Sequence, residues 1–389
     1  MTGRIELKAF IAYQIKSVYH SGKRFRDLGK ELNIFLMKHS PRDHAPFFLD
    51  IEYGEFPPGA NIWKEVRSKI EVSHVAIFDI SENNPNVLLE AGIALGLDKH
   101  VIFLKSQQAD KVPLPTDISS VVYVSYRDSK ELSSPRLVKA IANSIMYYMN
   151  HCGDVYLYHR LLWGLDPASR TLIVPGILPE GSTFNKFEDY VHIRIYGDID
   201  AIVEVKETLH RLYPRMEVSV VTAKAIRDLP QNWAQCNIIF VGGPDFNPLV
   251  KDFDEACPVE YRYGEPGEDK VWLYHTKRRR QYMPVFKLSD GKQRARDYGF
   301  FMRTSRTADK SVIIFFGGAR TWGVLGAVKL LSCTSFDANA ESHDNAQELV
   351  CRFGSNPSLF IPVEVDGTRE GLRPPKWSLK KVEQIQPTV

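Results

Sequence analysis

Glu90 is the one charged residue in the apolar run Pro85-Asn-Val-Leu-Leu-Glu90-Ala-Gly-Ile-Ala-Leu-Gly-Leu97. Asn86 precedes it by four residues, so on a helix the two side chains share a face one turn apart. Ala94, one turn further on, leaves that face small and open. Upstream, Asp79 ends the apolar run Val75 to Phe78, and the polar turn Ser81 to Asn84 follows. A lone carboxylate in apolar surroundings is costly unless it is paired or needed. Such a group can stabilise a developing cation or form a covalent intermediate with an electrophilic carbon. Glu90, Asp79 and Asn86 are therefore the candidate catalytic residues. The competing account is a solvated helical glutamate, or one paired with a structural arginine. A Glu90→Gln variant that kept every activity would exclude the catalytic account.

The elements that must position these residues read clearly. Asn84 can cap a helix, and Pro85 fits the first helical position, where no N–H is needed. The helix from Pro85 to Leu97 is apolar nearly all round, which predicts that it is buried. Ile5 to Tyr13, Phe47 to Leu49, Val75 to Phe78, Val101 to Leu104 and Val121 to Val124 read as strands. Phe25, Leu28, Leu32, Phe35 and Leu36 recur at helical spacing, as do Ile62, Val66 and Ile70. Leu137 to Met149 is a closing helix, and Ile15 to Lys23 reads as a polar loop. The loop Glu52 to Gly59, with two prolines and two glycines, is a lid or a long turn. Strands alternating with helices imply a parallel sheet covered on both faces. Ligands of such sheets sit at the strand carboxyl ends, near the point where strand order reverses. Gln14, Asp79, Asn84, Asn86 and Glu90 all follow strand ends, so they are expected to converge on one cleft.

Residues 150–169 are too apolar for a free linker and read as a packed connector helix. The alternation then restarts. Thr171 to Val174, Tyr190 to Tyr196, Val218 to Val221, Asn237 to Val241, Ser311 to Phe316 and Leu359 to Val365 read as strands. Ala201 to Leu212, Val324 to Leu331 and His343 to Phe353 read as helices, and Val259 to Phe286 as β-hairpins. Gly371 to Val389 reads as a loose tail. The segments Asn237-Ile-Ile-Phe-Val-Gly-Gly243 and Val312-Ile-Ile-Phe-Phe-Gly-Gly318 resemble each other. Glycine pairs after strands let backbone N–H groups approach an anion at a helix start. Gly242, Gly243, Gly317 and Gly318 are thus candidate effector-nucleotide residues. Arg320 and Thr321 would be phosphate donors and Trp322 a stacking surface. A tight strand-to-helix turn explains the same glycines. No GxGxxG or GxxxxGK[ST] motif is present. The polar and aromatic stretch from Gly181 to Asp200 either lines a site or supplies caps and turns. Lys277-Arg-Arg-Arg280, with Trp272, Tyr274 and Tyr282 nearby and Arg294, Arg296, Arg303 and Arg306 following, is a solvated hairpin or a phosphate site.

Length and composition set the bounds. The chain has 389 residues, 44% hydrophobic and 25% charged, with a formal net charge of +3. That is an ordinary soluble globular composition, of a length for two domains or three, and the small net charge makes nucleic acid an unlikely partner. Five cysteines without metal spacing favour free thiols in a reducing cytoplasm, and no metal is expected. No signal-like or membrane-spanning run is evident. Serine-hydrolase elbows and zinc-protease helices are absent from the sequence.

At Ile62-Trp-Lys-Glu-Val-Arg67, Val75-Ala-Ile-Phe-Asp-Ile-Ser81 and Asn84-Pro-Asn-Val-Leu-Leu-Glu-Ala-Gly-Ile-Ala94, the chain resembles the TIR-like and nucleoside 2-deoxyribosyltransferase-like superfamily. Ala9-Phe-Ile-Ala-Tyr13 is similar to its first strand, and the resemblance covers residues 5–150. It implies an α/β fold: a flavodoxin/TIR-like parallel-sheet domain at 1–150. After the connector at 151–169, a second, Rossmann-like α/β domain with a β-hairpin insertion spans 170–370 as a nucleotide-sensing or oligomerisation module, followed by the tail at 371–389. It also implies an N-glycosidase cutting the ribosyl–base bond of NAD or a related nucleotide. Glu90 would be the catalytic carboxylate, with no cofactor beyond NAD as substrate. Tyr13, Tyr53 or Trp63 would stack on the base, and Gln14, Asn84 and Asn86 would bind substrate. Asn84 and Asn86 stand where the deoxyribosyltransferases usually carry an acid, which argues against deoxyribosyl transfer. Joined to a second domain, the chain resembles bacterial antiphage effectors: cytoplasmic homo-oligomers switched by a nucleotide signal or protein trigger. Two alternatives stand beside this: a non-catalytic nucleotide-binding or assembly module, and a housekeeping deoxyribosyltransferase-like enzyme.

Overall fold

The computed structural model describes residues 3–40, 44–54, 62–112, 122–151, 156–176, 190–223, 226, 235–244, 247, 249–250, 257–265, 270–289, 292–306, 311–333, 339–368 and 371–386. The chain forms two compact units, Met1–Val155 with Cys351–Ser355, and Tyr156–Val350 with Asn356–Val389. Both are α/β.

In the first unit β1 (Ile5–Ala12), α1 (Gly22–His39), β2 (Phe47–Tyr53), α2 (Ile62–Val72), β3 (Val75–Asp79), α3 (Pro85–Gly96), β4 (His100–Ser106), β5 (Tyr123–Tyr126) and α4 (Pro135–His151) alternate. The five strands lie in the order β2-β1-β3-β4-β5, and every pairing is parallel. The order reverses between β1 and β3, so a crevice must open at their carboxyl ends. Period-2 alternation sorts the side chains. Phe10, Ala12, Ala76 and Phe78 pack with Val66, Ile70, Val87, Ala91 and Ala94 of α2 and α3. The other face packs against α1 and α4. The fifth strand falls at Tyr123–Tyr126 rather than Val121–Val124; Val122 is 91% exposed, and residue 121 lies outside the described residues.

The expectation that α3 is buried all round does not hold. Val87, Ala91 and Ala94 are buried, but Pro85, Leu89, Gly92 and Gly96 form an exposed stripe on the opposite side. At 100° per residue, Asn86, Glu90, Ile93 and Leu97 then lie along one flank of the buried stripe.

The second unit contains α5 (Leu157–Trp163), β6 (Thr171–Pro175), α6 (Tyr190–Leu212), β7 (Val218–Val220), β8 (Asn237–Val241), β9 (Val259–Tyr263), β10 (Val271–His275), β11 (Arg280–Tyr282), β12 (Val285–Ser289), β13 (Lys292–Ser305), β14 (Val312–Gly318), α7 (Thr321–Lys329), α8 (Asn339–Phe353), β15 (Leu359–Thr368), β16 (Gly371–Leu372) and β17 (Glu383–Gln384). Its main sheet runs β16-β15-β13-β14-β8-β6-β7, with β12 on β13 and β17 on β15. β9, β10 and β11 form a separate antiparallel sheet. The two similar segments are parallel neighbours, Ile313 opposite Ile238 and Phe316 opposite Val241.

Three expectations fail in this unit. Tyr190 to Tyr196 opens the 23-residue helix α6 and is not a strand: the helix-forming run after Ala201 extends backward through it. Residues 371–386 are no loose tail, because β16 and β17 pair with β15. Arg303 belongs to no basic surface. It is 2% exposed and donates to the carbonyls of Trp163 (2.9 Å), Asn356 (2.9 Å) and Pro357 (3.1 Å). It sits in the 14-residue β13, whose charged first half masks the strand in the sequence.

Candidate active site

The site is built where β1 and β3 diverge. Asn84 caps α3, its Oδ1 accepting from the Asn86 N–H at 2.9 Å. Its Nδ2 donates to Gln14 Oε1 at 3.0 Å, across the switch point. Gln14 Nε2 in turn donates to the Lys16 carbonyl at 3.2 Å. The β1–α1 loop is also tied to the β3–α3 loop by Glu82, which accepts from the Ser17 hydroxyl and from the Val18 N–H. The start of α3 is therefore held rigidly beside the end of β1.

Glu90 lies one turn and a half into α3, half-buried. Burial pushes its carboxyl up to about 7. Among the described residues it has no hydrogen-bond or ion-pair partner. A carboxylate so placed has lost water without gaining a donor, so its ionised form is held at a cost. Asn86, exposed, stands one turn before it on the same flank.

Asp79 is differently placed. Alternation along β3 turns it toward the α1 and α4 face, away from α3. It is 4% exposed, accepts from Tyr126 Oη at 2.7 Å and from the Ser81 N–H at 3.1 Å, and lies 3.5 Å from His20 Nε2. Ser81 Oγ is 3.2 Å from Tyr126 Oη and accepts from the Ser106 N–H at 2.8 Å. Asp79, Ser81 and Tyr126 satisfy one another and fix the strand ends, while neither His20 ring nitrogen makes a hydrogen bond among the described residues; the structure does not bring Asp79 to Glu90. Tyr126, raised by burial and by Asp79, stays a neutral donor. His20 and Tyr126 escape sequence reading, because one falls in an apparent polar loop and the other beyond the expected end of β5.

The three candidate aromatics separate. The Tyr13 ring is stacked on Phe25 at 4.3 Å and is 7% exposed, so it has no free face for a base. Tyr53 sits against Gly29 of α1, on the face opposite α3. Trp63, in the first turn of α2, is 49% exposed; α2 covers the same sheet face as α3, and Trp63 is the aromatic of the three that remains available.

The expected nucleotide cradle of the second unit is filled by the chain itself. A Cβ on Gly317 would meet Phe300 at 2.3 Å and the Tyr261 hydroxyl at 2.8 Å; one on Gly318 would meet the Val324 nitrogen at 2.4 Å. Gly243 faces the Tyr261 ring at 3.2 Å, and the Trp322 ring lies on Gly367. Gly242, at φ 105°, donates its N–H to the Phe316 carbonyl. The amide that would meet a phosphate, Gly323 N–H, donates to Asp297 Oδ2 at 2.6 Å. Arg320 and Thr321 simply lead into α7. These glycines serve close packing, and Asp297 takes the anion position. Residues 181–189 of the polar stretch lie outside the described residues. Among the described residues no group of three or more His, Cys, Asp or Glu could hold a metal, and no helix is long and apolar enough to cross a membrane.

No family model matches the chain, and no curated protein matches it. Among solved structures, the chain is similar to a Clostridium botulinum CMP N-glycosidase at 18% identity, over 34% of this chain and 97% of that one, with a TM-score of 0.23.

Proposed function

We propose that the first unit is an N-glycosidase that cleaves the ribosyl–base bond of a nucleotide, with Glu90 as its catalytic carboxylate. The observation that carries this reading is a half-buried carboxylate, pushed up to about 7 and without a partner among the described residues, on a helix anchored at the switch point. In the reaction the C1′–N bond breaks and its electron pair leaves with the base. The sugar becomes oxocarbenium-like, and Glu90 stabilises that charge or bonds to C1′ until water completes hydrolysis. The developing cation relieves the cost of the desolvated anion, so the interaction is stronger in the transition state than before it.

NAD or a related nucleotide is the favoured substrate. Its nicotinamide leaves as a neutral base and needs no proton, whereas most nucleobases do. Among the described residues no second partnerless acid accompanies Glu90, since Asp79 is engaged. Trp63 supplies a stacking surface and Asn86 a donor for ribose hydroxyls. The second unit is then a control module, in a homo-oligomeric cytoplasmic effector of antiphage type, acting through surfaces other than its glycine pairs.

The test is base release from NAD and a panel of nucleosides and nucleotides by wild type and Glu90→Gln, with folding checked by circular dichroism. Release by the wild type alone supports the reading, and equal release by both overturns it. Because the ionised carboxylate is required, the rate should rise with pH and reach half its plateau near 7.

A further inference from the structure

The small antiparallel sheet of the second unit has two unlike faces. Val259, Leu273 and Tyr282 face the core. Alternation puts Arg262, Trp272 and Tyr274 on the other face, with Trp272 directly opposite Arg262 in register. The Arg262 guanidinium stacks on the Tyr274 ring at 3.6 Å, a planar surface with delocalised positive charge.

Tyr274 leads into the turn between β10 and β11, where Lys277, Arg278 and Arg279 are exposed, as is Arg280 at the start of β11. Arg278 is neutralised by Glu383 at 2.6 Å, and Arg262 faces Glu260 at 3.3 Å. Lys277, Arg279 and Arg280 have no carboxylate partner among the described residues. The whole chain carries a formal charge of only +3, so these three cations hold a charge equal to its entire excess on one turn and the first residue of the strand after it. The acidic Glu265 lies at the far end of the sheet, beyond β9. An average charge near balance therefore hides a local concentration.

We propose that this turn and the adjoining face form a docking surface for single-stranded nucleic acid. Lys277 and Arg279 of the turn, with Arg280, which lies opposite His275 on the core-side face of the hairpin, would take successive backbone phosphates as the nucleic acid passes round the turn, and the Arg262–Tyr274 stack would carry a base. Unpaired cations alone would suit any polyanion. The stacked guanidinium and aromatic ring beside them favour a partner with planar bases over an acidic peptide.

Fluorescence anisotropy on the full chain tests this, with labelled twelve-nucleotide oligo-dT and oligo-U and a poly-glutamate peptide of equal length. Three phosphate contacts predict that log K falls with log salt at a slope of about −2. The triple variant K277Q/R279Q/R280Q should bind at least tenfold more weakly and lose that slope. R262Q should weaken binding several-fold, chiefly through the lost stack, and so leave most of the slope in place. Oligo-U and oligo-dT binding alike means that the surface reads bases and phosphates only, and a preference for one names the natural ligand. Poly-glutamate binding as tight as either oligonucleotide, an unaltered triple variant, or no oligonucleotide binding at low salt overturns the proposal. The result is independent of turnover at Glu90.

Discussion

Glu90 and Asp297 are both carboxyls that burial pushes upward, to about 7 and about 6. Their surroundings differ. Asp297 is fully buried and accepts from two backbone amides, Gly323 at 2.6 Å and Tyr298 at 2.8 Å. It completes the start of α7 and leaves no anion position open. Glu90 is half-buried, on a helix whose own cap is Asn84, and has no donor among the described residues. The pKa direction alone would rank the two alike. What separates a structural carboxylate from a candidate catalytic one is whether donors compensate the lost water.

The largest effect expected from that contrast is in the packed second unit. Gly323→Ala would drive a Cβ to 2.2 Å from the Tyr298 carbonyl oxygen, costing about 3 kcal/mol or more, read as a lower denaturant midpoint. A fold indifferent to this change would reopen the glycines as a ligand cradle. Asp297→Asn keeps the shape but offers one amide a donor instead of an acceptor. A loss of about 1–3 kcal/mol is expected in the same measurement, and no loss would dissolve the distinction between the two carboxyls. Smaller again is Asn84→Ala, which removes the α3 cap and the Gln14 tie. It should cost about 1 kcal/mol and lower turnover by loosening the helix that carries Glu90; unchanged turnover would mean that the tie does not position the site.

The first unit was largely legible because periodicity and caps are local signals. Asn84-Pro85 marked the start of α3, and the strands of the parallel sheet lay near where apolar runs stood. The exposed stripe of α3 was not legible: Leu89, Gly92 and Gly96 look like core residues, and only packing decides which side is covered. His20 and Tyr126 were missed because their partner, Asp79, is distant in sequence. The roles of Tyr13 and Tyr53 depended on which sheet face they occupy, which follows from strand order. In the second unit the Gly-Gly pattern suited a phosphate and a packed turn equally, and Tyr261, Phe300 and Asp297 decided between them. The charges of β13 concealed a strand because Arg303 is satisfied by carbonyls of remote segments.

The most direct measurement is Glu90→Gln examined for turnover and for stability together. A carboxyl held at about 7 instead of its ordinary value of 4.5 destabilises the folded chain increasingly as pH rises above 4.5, and fully above 7. Glutamine carries no such cost. Allowing for screening at a half-buried site, the variant should be about 1–2 kcal/mol more stable than wild type at pH 8, and equal to it at pH 4. It should release base from NAD at least a thousandfold more slowly. More stability with lost turnover is the signature of a charge kept for chemistry. A variant that unfolds more easily at pH 8, or one that still turns over, would make Glu90 a structural residue and contradict the account.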